Sequence, residues 1–95
     1  MEKLMLIKQV FPMQERPYTD KSGNAKVFSS RTFVLTDGID TLCAEMQGDL
    51  AKANAQTEFE IGSAHTVQLQ VSVHTWRDTA GAERYSNEVR IVKMS

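Results

Sequence analysis

The chain has 95 residues, 41% hydrophobic and 24% charged, with a net charge of −1. That length sets one domain with a modest core, and the composition is that of a soluble globular protein rather than a disordered one. No apolar run approaches the roughly 18 residues of a membrane helix, and the lone Cys43 excludes an internal disulfide and fits a reducing cytoplasm.

The opening, MEKLMLIKQVF, is too short and too alternating for a signal peptide. Residues 3–15 instead predict a first strand with apolar residues of both parities: Leu4, Leu6 and Val10 on one, Met5, Ile7 and Phe11 on the other. A long barrel strand that bends between neighbours reads that way. Pro12 marks a break in its pairing, and Arg16-Pro17 begins a loop with DKSGN as its turn. Val27 to Thr36 is the second strand. Asp37-Gly38 signals a two-residue hairpin, and Ile39 to Gln47 is the third strand.

The period then changes. GDLAKANAQ is Ala-rich, with Asp49 as an N-cap or first-turn acid, and predicts two or three turns of helix. In TEFEIG, Phe59 and Ile61 are expected to plug the core. Residues 65–75 alternate: Val67, Leu69, Val71 and Val73 form one face, and Gln68, Gln70, Ser72 and His74 the other. Tyr85 to Met94 is the last strand, with Tyr85, Val89 and Ile91 inward. The order β-β-β-α-β-β describes an all-β domain with one short helix, the five-stranded, partly open OB-fold barrel, spanning residues 1–95. Another small five-stranded barrel or roll, with the Ala-rich segment as a loop, is the alternative.

Two stretches resemble a known group. SSRTFVLTDGIDTLCAEMQGD, followed by EIGSAHTVQLQVSVHTWRDTAGAERYSNEVRIVKM, resembles small single-stranded-DNA-binding-type OB domains. Those have a Phe-Val-Leu-type second strand, a Gly before strand four and an alternating final strand. Here these are Phe33-Val34-Leu35, Gly62, and Tyr85 to Lys93. The sequence is similar above all to a family of small OB-fold proteins from Bacteroidetes and their mobile elements. Its slight acidity and single Trp depart from the usual pattern of such binders.

Two loops share one pattern. YTDKSGNAK and WRDTAGAER both place an aromatic residue, then Asp, then Gly, then a base. In an OB-fold the loops between strands one and two and between strands four and five flank one binding face. Single-stranded nucleic acid needs aromatic faces for its bases and cations for its phosphates. Tyr18, Phe28, Trp76 and Tyr85 are the candidate faces; Lys21, Lys26, Arg77 and Arg84 the candidate cations. Asp-x-x-Gly is also an ordinary hairpin turn, so a purely structural role stands beside the functional one. Trp76 shares parity with the polar side of its strand, and an exposed Trp beside Arg77 suggests a contact surface. Lys8, Arg31 and Arg90 sit mid-strand and must point out or pair. A groove would use Arg31, whereas Glu45 or Glu88 across a strand pair would balance Arg90.

Charge is uneven along the chain. Residues 1–35 carry six Lys or Arg against three acids, residues 36–66 carry Lys52 against six acids, and residues 67–95 carry four against three. The segments bearing the twin loops are thus the basic ones. His65 and His74 have no Cys or acid at metal-ligand spacing and read as surface histidines. Cys43 reads as a small buried hydrophobe. No catalytic motif or cofactor-binding loop is present, so no enzyme and no cofactor is expected. The leading expectation is a sequence-tolerant binder of single-stranded DNA, with RNA possible, acting as a homo-oligomer. The alternative is a protein-interaction OB module that docks a protein partner. Oligosaccharide binding is compatible with the fold but has no residue that singles it out.

Overall fold

Six strands and one short helix follow one another in the computed structural model, which describes residues 1–95. They are β1 (Glu2–Val10), β2 (Gln14–Thr19), β3 (Ala25–Thr36), β4 (Thr41–Gln47), α1 (Gly48–Ala53), β5 (Ala64–Arg77) and β6 (Glu83–Met94). Five of the strands make a ring. β1 pairs antiparallel with β3 and β5, β3 with β4, and β5 with β6. A parallel contact between β4 and β6, at Glu45 opposite Arg90, closes it. This is the OB-fold barrel, with its weak seam between β4 and β6 and its helix between the third and fourth barrel strands.

The expected first strand is two strands. Phe11, Pro12 and Met13 interrupt it, because Pro has no N–H for the ladder. β2 then leaves the ring and pairs only with the first half of β3, from Gln14 opposite Ser30 to Thr19 opposite Ala25. The double parity of β1 has a local cause as well. Met5 and Ile7 are buried while Leu4 and Leu6 are exposed. A register shift between Ile7 and Gln9 then turns Val10 toward the core.

Alternation supplies the rest of the core. Phe33 and Leu35 come from β3, Ala44 and Met46 from β4, Val67 and Leu69 from β5, and Ile91 from β6. Ala51 of the helix and the half-buried Phe59 close one end, with the Phe59 ring edge-on to Phe33 at 5.1 Å. Ile61, expected beside Phe59, is exposed. Cys43 is exposed too, because it has the opposite parity to Ala44 and Met46. Val71, Val73 and Tyr85 were expected inward and are more than half exposed. The β5–β6 hairpin outruns the barrel: β5 pairs with β1 only up to Gln68, so the apolar side of the ribbon beyond it has nothing to cover.

Arg31 is the largest departure. Expected in a groove, it lies on the inner side of β3 with only 8% of its surface exposed. Its Nε donates to Phe11 O at 2.9 Å, and its Nη1 donates to Asn54 O at 2.6 Å and Thr57 O at 2.7 Å. The guanidinium also lies over the rings of Phe33 and Phe59, at 5.7 and 5.2 Å. Asn54 caps the C-terminus of α1, the negative end of the helix dipole. Arg31→Met leaves these carbonyls without their donor and is expected to destabilise the fold by roughly 3 kcal/mol. Urea denaturation measures it, and Arg31→Lys should recover part of the loss.

The turn between β3 and β4 has four residues, Asp37 to Asp40, rather than two. Asp37 Oδ1 accepts the amides of Ile39 and Asp40, and its Oδ2 accepts Lys3 Nζ at 2.9 Å. The Asp40 amide first, and then Lys3, hold this carboxyl well below the usual carboxylate range. A depressed pKa contributes stability above the unfolded value that is lost as pH falls below about 4. Asp37→Asn should therefore flatten the acid limb of a stability–pH profile between about pH 4 and 2, while leaving the neutral slope unchanged.

Candidate nucleic-acid interface

The two similar loops fold into the same turn. Asp20 Oδ1 accepts the amides of Ser22 and Asn24, and Asp20 O accepts Gly23 N–H. Asp78 Oδ1 accepts the amides of Ala80 and Ala82, and Asp78 O accepts Gly81 N–H. Gly23 and Gly81 have φ of 81° and 82°, the left-handed region that suits glycine. The turns cap two hairpins that extend beyond the barrel, β2–β3 and β5–β6.

Strand parity decides what each hairpin presents. On β2–β3, Arg16 lies opposite Phe28 and Tyr18 opposite Lys26, all on the face that continues to Ser30 and Thr32. On β5–β6, Gln70, Ser72, His74 and Trp76 share a face with Arg90, Glu88, Ser86 and Arg84. Between the hairpins runs a groove with a cavity of about 590 Å³. Its floor is one row across four strands: Gln70 opposite Arg90, Arg90 opposite Glu45, Glu45 opposite Thr32. A smaller cavity of about 350 Å³ opens on the β2–β3 hairpin, walled by Arg16, Tyr18 and Phe28.

Trp76 is 42% exposed and stacks on His74, with ring centroids 5.6 Å apart and planes 20° from parallel. Directly opposite Trp76, Arg84 donates from Nε to Asp78 Oδ2 at 2.8 Å. That contact is the main reason the Asp78 carboxyl sits below its ordinary range, ahead of the Ala82 amide. Half of the Tyr18 surface is exposed, and Phe28 is half-buried beneath the Arg16 guanidinium at 5.7 Å. Lys21 sits in the first turn and Lys26 beside Tyr18. Arg90 stands opposite Glu45 without an ion pair within 4.0 Å.

Four expected contacts fall elsewhere. Arg31 is consumed inside the barrel, as described. Lys8 is exposed at the bulge of β1, a strand that gives nothing to the groove. Tyr85 has the opposite parity to Trp76 and donates to Glu83 on the outer face of the ribbon. Arg77 shares that outer parity and donates to Gly81 O at 3.2 Å. Conversely, the groove contains residues that sequence reasoning passed over. Arg16 was read as the start of a loop, so its alternation with Tyr18 was not used. His74 and Gln70 shared parity with Trp76, which was the available signal. Nowhere do three His, Cys, Asp or Glu side chains gather to hold a metal, and no helix is long and apolar enough to cross a membrane.

No protein-family model and no curated protein matches the chain. Solved structures do. The second OB-fold domain of replication protein A from Methanococcus maripaludis superposes with a TM-score of 0.58 at 15% identity, covering 99% of this chain and 79% of that one. A small single-stranded DNA-binding protein from Streptomyces coelicolor gives a looser likeness, TM-score 0.46 at 18% identity, covering 100% of this chain and 94% of that one. The first likeness agrees with the OB-fold assigned above from strand order and closure.

The turn geometry carries a prediction. Gly23→Ala and Gly81→Ala put a side chain at a positive φ, at a cost of about 1 kcal/mol each. Neither position crowds a neighbour. Amide exchange should accelerate at the corresponding hairpin tip and remain unchanged for Phe33, Leu35 and Ile91.

Proposed function

We propose that this chain binds single-stranded nucleic acid, DNA in the first place, along the groove between its two hairpins. The observation that carries this reading is aromatic surface on both hairpins that border one groove: Phe28 lines it with Tyr18 on the same hairpin face, and Trp76 lies on the face of β5–β6 that lines it through Gln70 and Ser72. Each stacked base contributes about 1–3 kcal/mol, so two or three platforms suffice for useful affinity. Lys21 and Lys26 supply positive charge beside Tyr18, Arg84 is held opposite Trp76 by Asp78, and within the groove Arg16 and Arg90 stand with Glu45 and Glu88. Stacking accepts any base, so binding is tolerant of sequence order. RNA fits the same contacts, since none of them selects the sugar.

The resemblance to OB-fold proteins of Bacteroidetes and mobile elements supports a role in replication, recombination or transfer within the cytoplasm. A second reading has its own observation. The outer face of the β5–β6 ribbon exposes Val71, Val73 and Tyr85, an apolar strip suited to a protein partner or a second copy of the chain. Self-association through that strip leaves the groove open and links two binding sites.

Trp76 is the only tryptophan, so its fluorescence reports on the groove. Titration with an unstructured single-stranded oligonucleotide should quench it, more weakly as salt rises, and far less with duplex. Trp76→Ala should weaken binding by about tenfold or more, read by anisotropy of a labelled oligonucleotide. Unchanged fluorescence and anisotropy would sink this reading and turn attention to the outer strip.

A further inference from the structure

The groove does not look like a phosphate channel. Its charged side chains are Arg16 and Arg90 on one side of the balance and Glu45 and Glu88 on the other, so it is neutral. Gln47 and Gln70 line it as well. A phosphodiester gains nothing from a neutral floor that includes two carboxylates, and belongs at the rim with Lys21 and Lys26. What the floor offers is hydrogen-bonding capacity for base edges.

The two carboxylates decide which edges. A carboxylate only accepts hydrogen bonds, so its partner must donate. Glu45 is oriented for this: Gln47 Nε2 donates to its Oε1 at 3.1 Å, and the other oxygen makes no hydrogen bond within the protein. Glu88 has only His74 Nδ1 near it, at 3.9 Å. Cytosine presents an amino donor at N4 beside ring acceptors, and adenine one at N6. Guanine presents its N2 amino group beside the N1–H donor, with its O6 and N7 acceptors on the major-groove edge. Thymine and uracil present one ring N–H flanked on both sides by carbonyl oxygens, which a carboxylate repels. An arginine stands next to the acceptor as well. Arg90 lies on the neighbouring strand opposite Glu45, about 4.8 Å across the ladder, which is the scale of a base edge.

We propose that this groove selects bases carrying an exocyclic amino group over thymine and uracil, with Glu45 and Glu88 as acceptors and Arg90 as the adjacent donor. The inference rests on the nucleic-acid reading above and narrows it: order is tolerated, composition is not. The test compares oligonucleotides of about twelve nucleotides, all cytosine, all thymine and all uracil, at one salt concentration. Anisotropy of an end label gives each affinity. Deoxyuridine in the uracil strand separates loss of the amino group from the thymine methyl.

The cytosine strand is expected to bind about tenfold more tightly than the other two. Glu45→Gln and Glu88→Gln, each isosteric and each on the surface of the sheet, should weaken cytosine binding and narrow the gap, with circular dichroism unchanged. Thymine or uracil binding as tightly as cytosine overturns the selectivity and leaves single-strand binding standing. So does a Gln variant that strengthens all three strands alike, since that is charge repulsion alone. Failure of all three strands to bind overturns the nucleic-acid reading itself.

Discussion

A single buried guanidinium holds together the parts of this fold that the strand ladders do not. Arg31 has no carboxylate partner; its charge is met by the carbonyls of Phe11, Asn54 and Thr57 and by two aromatic faces. Those carbonyls belong to three irregular places: the break between β1 and β2, the end of α1, and the connector toward β5. Irregular segments carry backbone acceptors with no ladder to satisfy them. One planar side chain with several fixed donors reaches all three, which a lysine or an apolar residue does not. The short helix depends on it most. Six residues are too few to be stable alone, and its first turn lacks a side-chain cap.

Past the ring, the strands run on as two hairpins. β3 continues past the ring, takes β2 as its partner, and becomes one hairpin; β5 and β6 continue past β1 and become the other. An isolated two-stranded ribbon is marginal in water. Both hairpins are therefore expected to open locally at far lower free energy than the barrel. The Asp-x-x-Gly turns oppose this by meeting the turn amides with a carboxylate. The same device twice, on two arms that flank one groove, explains why the sequence repeats itself.

The barrel was largely legible in the sequence. Alternation located Val67, Leu69 and Ile91, and the change of period after Gln47 located the helix. Three kinds of information were not. Alternation predicts a face, not whether anything covers it, so Val71, Val73 and Tyr85 were assigned inward although the ribbon had left the barrel. A bulge shifts parity without a sequence marker, as at Lys8 in β1. A charged residue inside an apolar run carries no sign of which carbonyls await it, and Arg31 was accordingly assigned to the surface. At the candidate interface the same limits apply. The loops and Trp76 were found from pattern, while Arg16 was hidden by the proline beside it.

Net charge misleads about such a surface because the charges are segregated along the strands. β3 runs from the turn carrying Lys21 to the turn holding Asp37 and Asp40, twelve residues that span about 35 Å along the strand. The Debye length at physiological salt is about 8 Å. Acids at the far end are thus screened from anything held between the hairpins. What a ligand senses there is the local mixture, neutral on the floor and positive at the rim. On the proposed reading, affinity in such a groove comes chiefly from stacking and from base edges, and only in part from released counterions. On the same reading, that combination is how a chain with a formal charge of −1 would meet a polyanion.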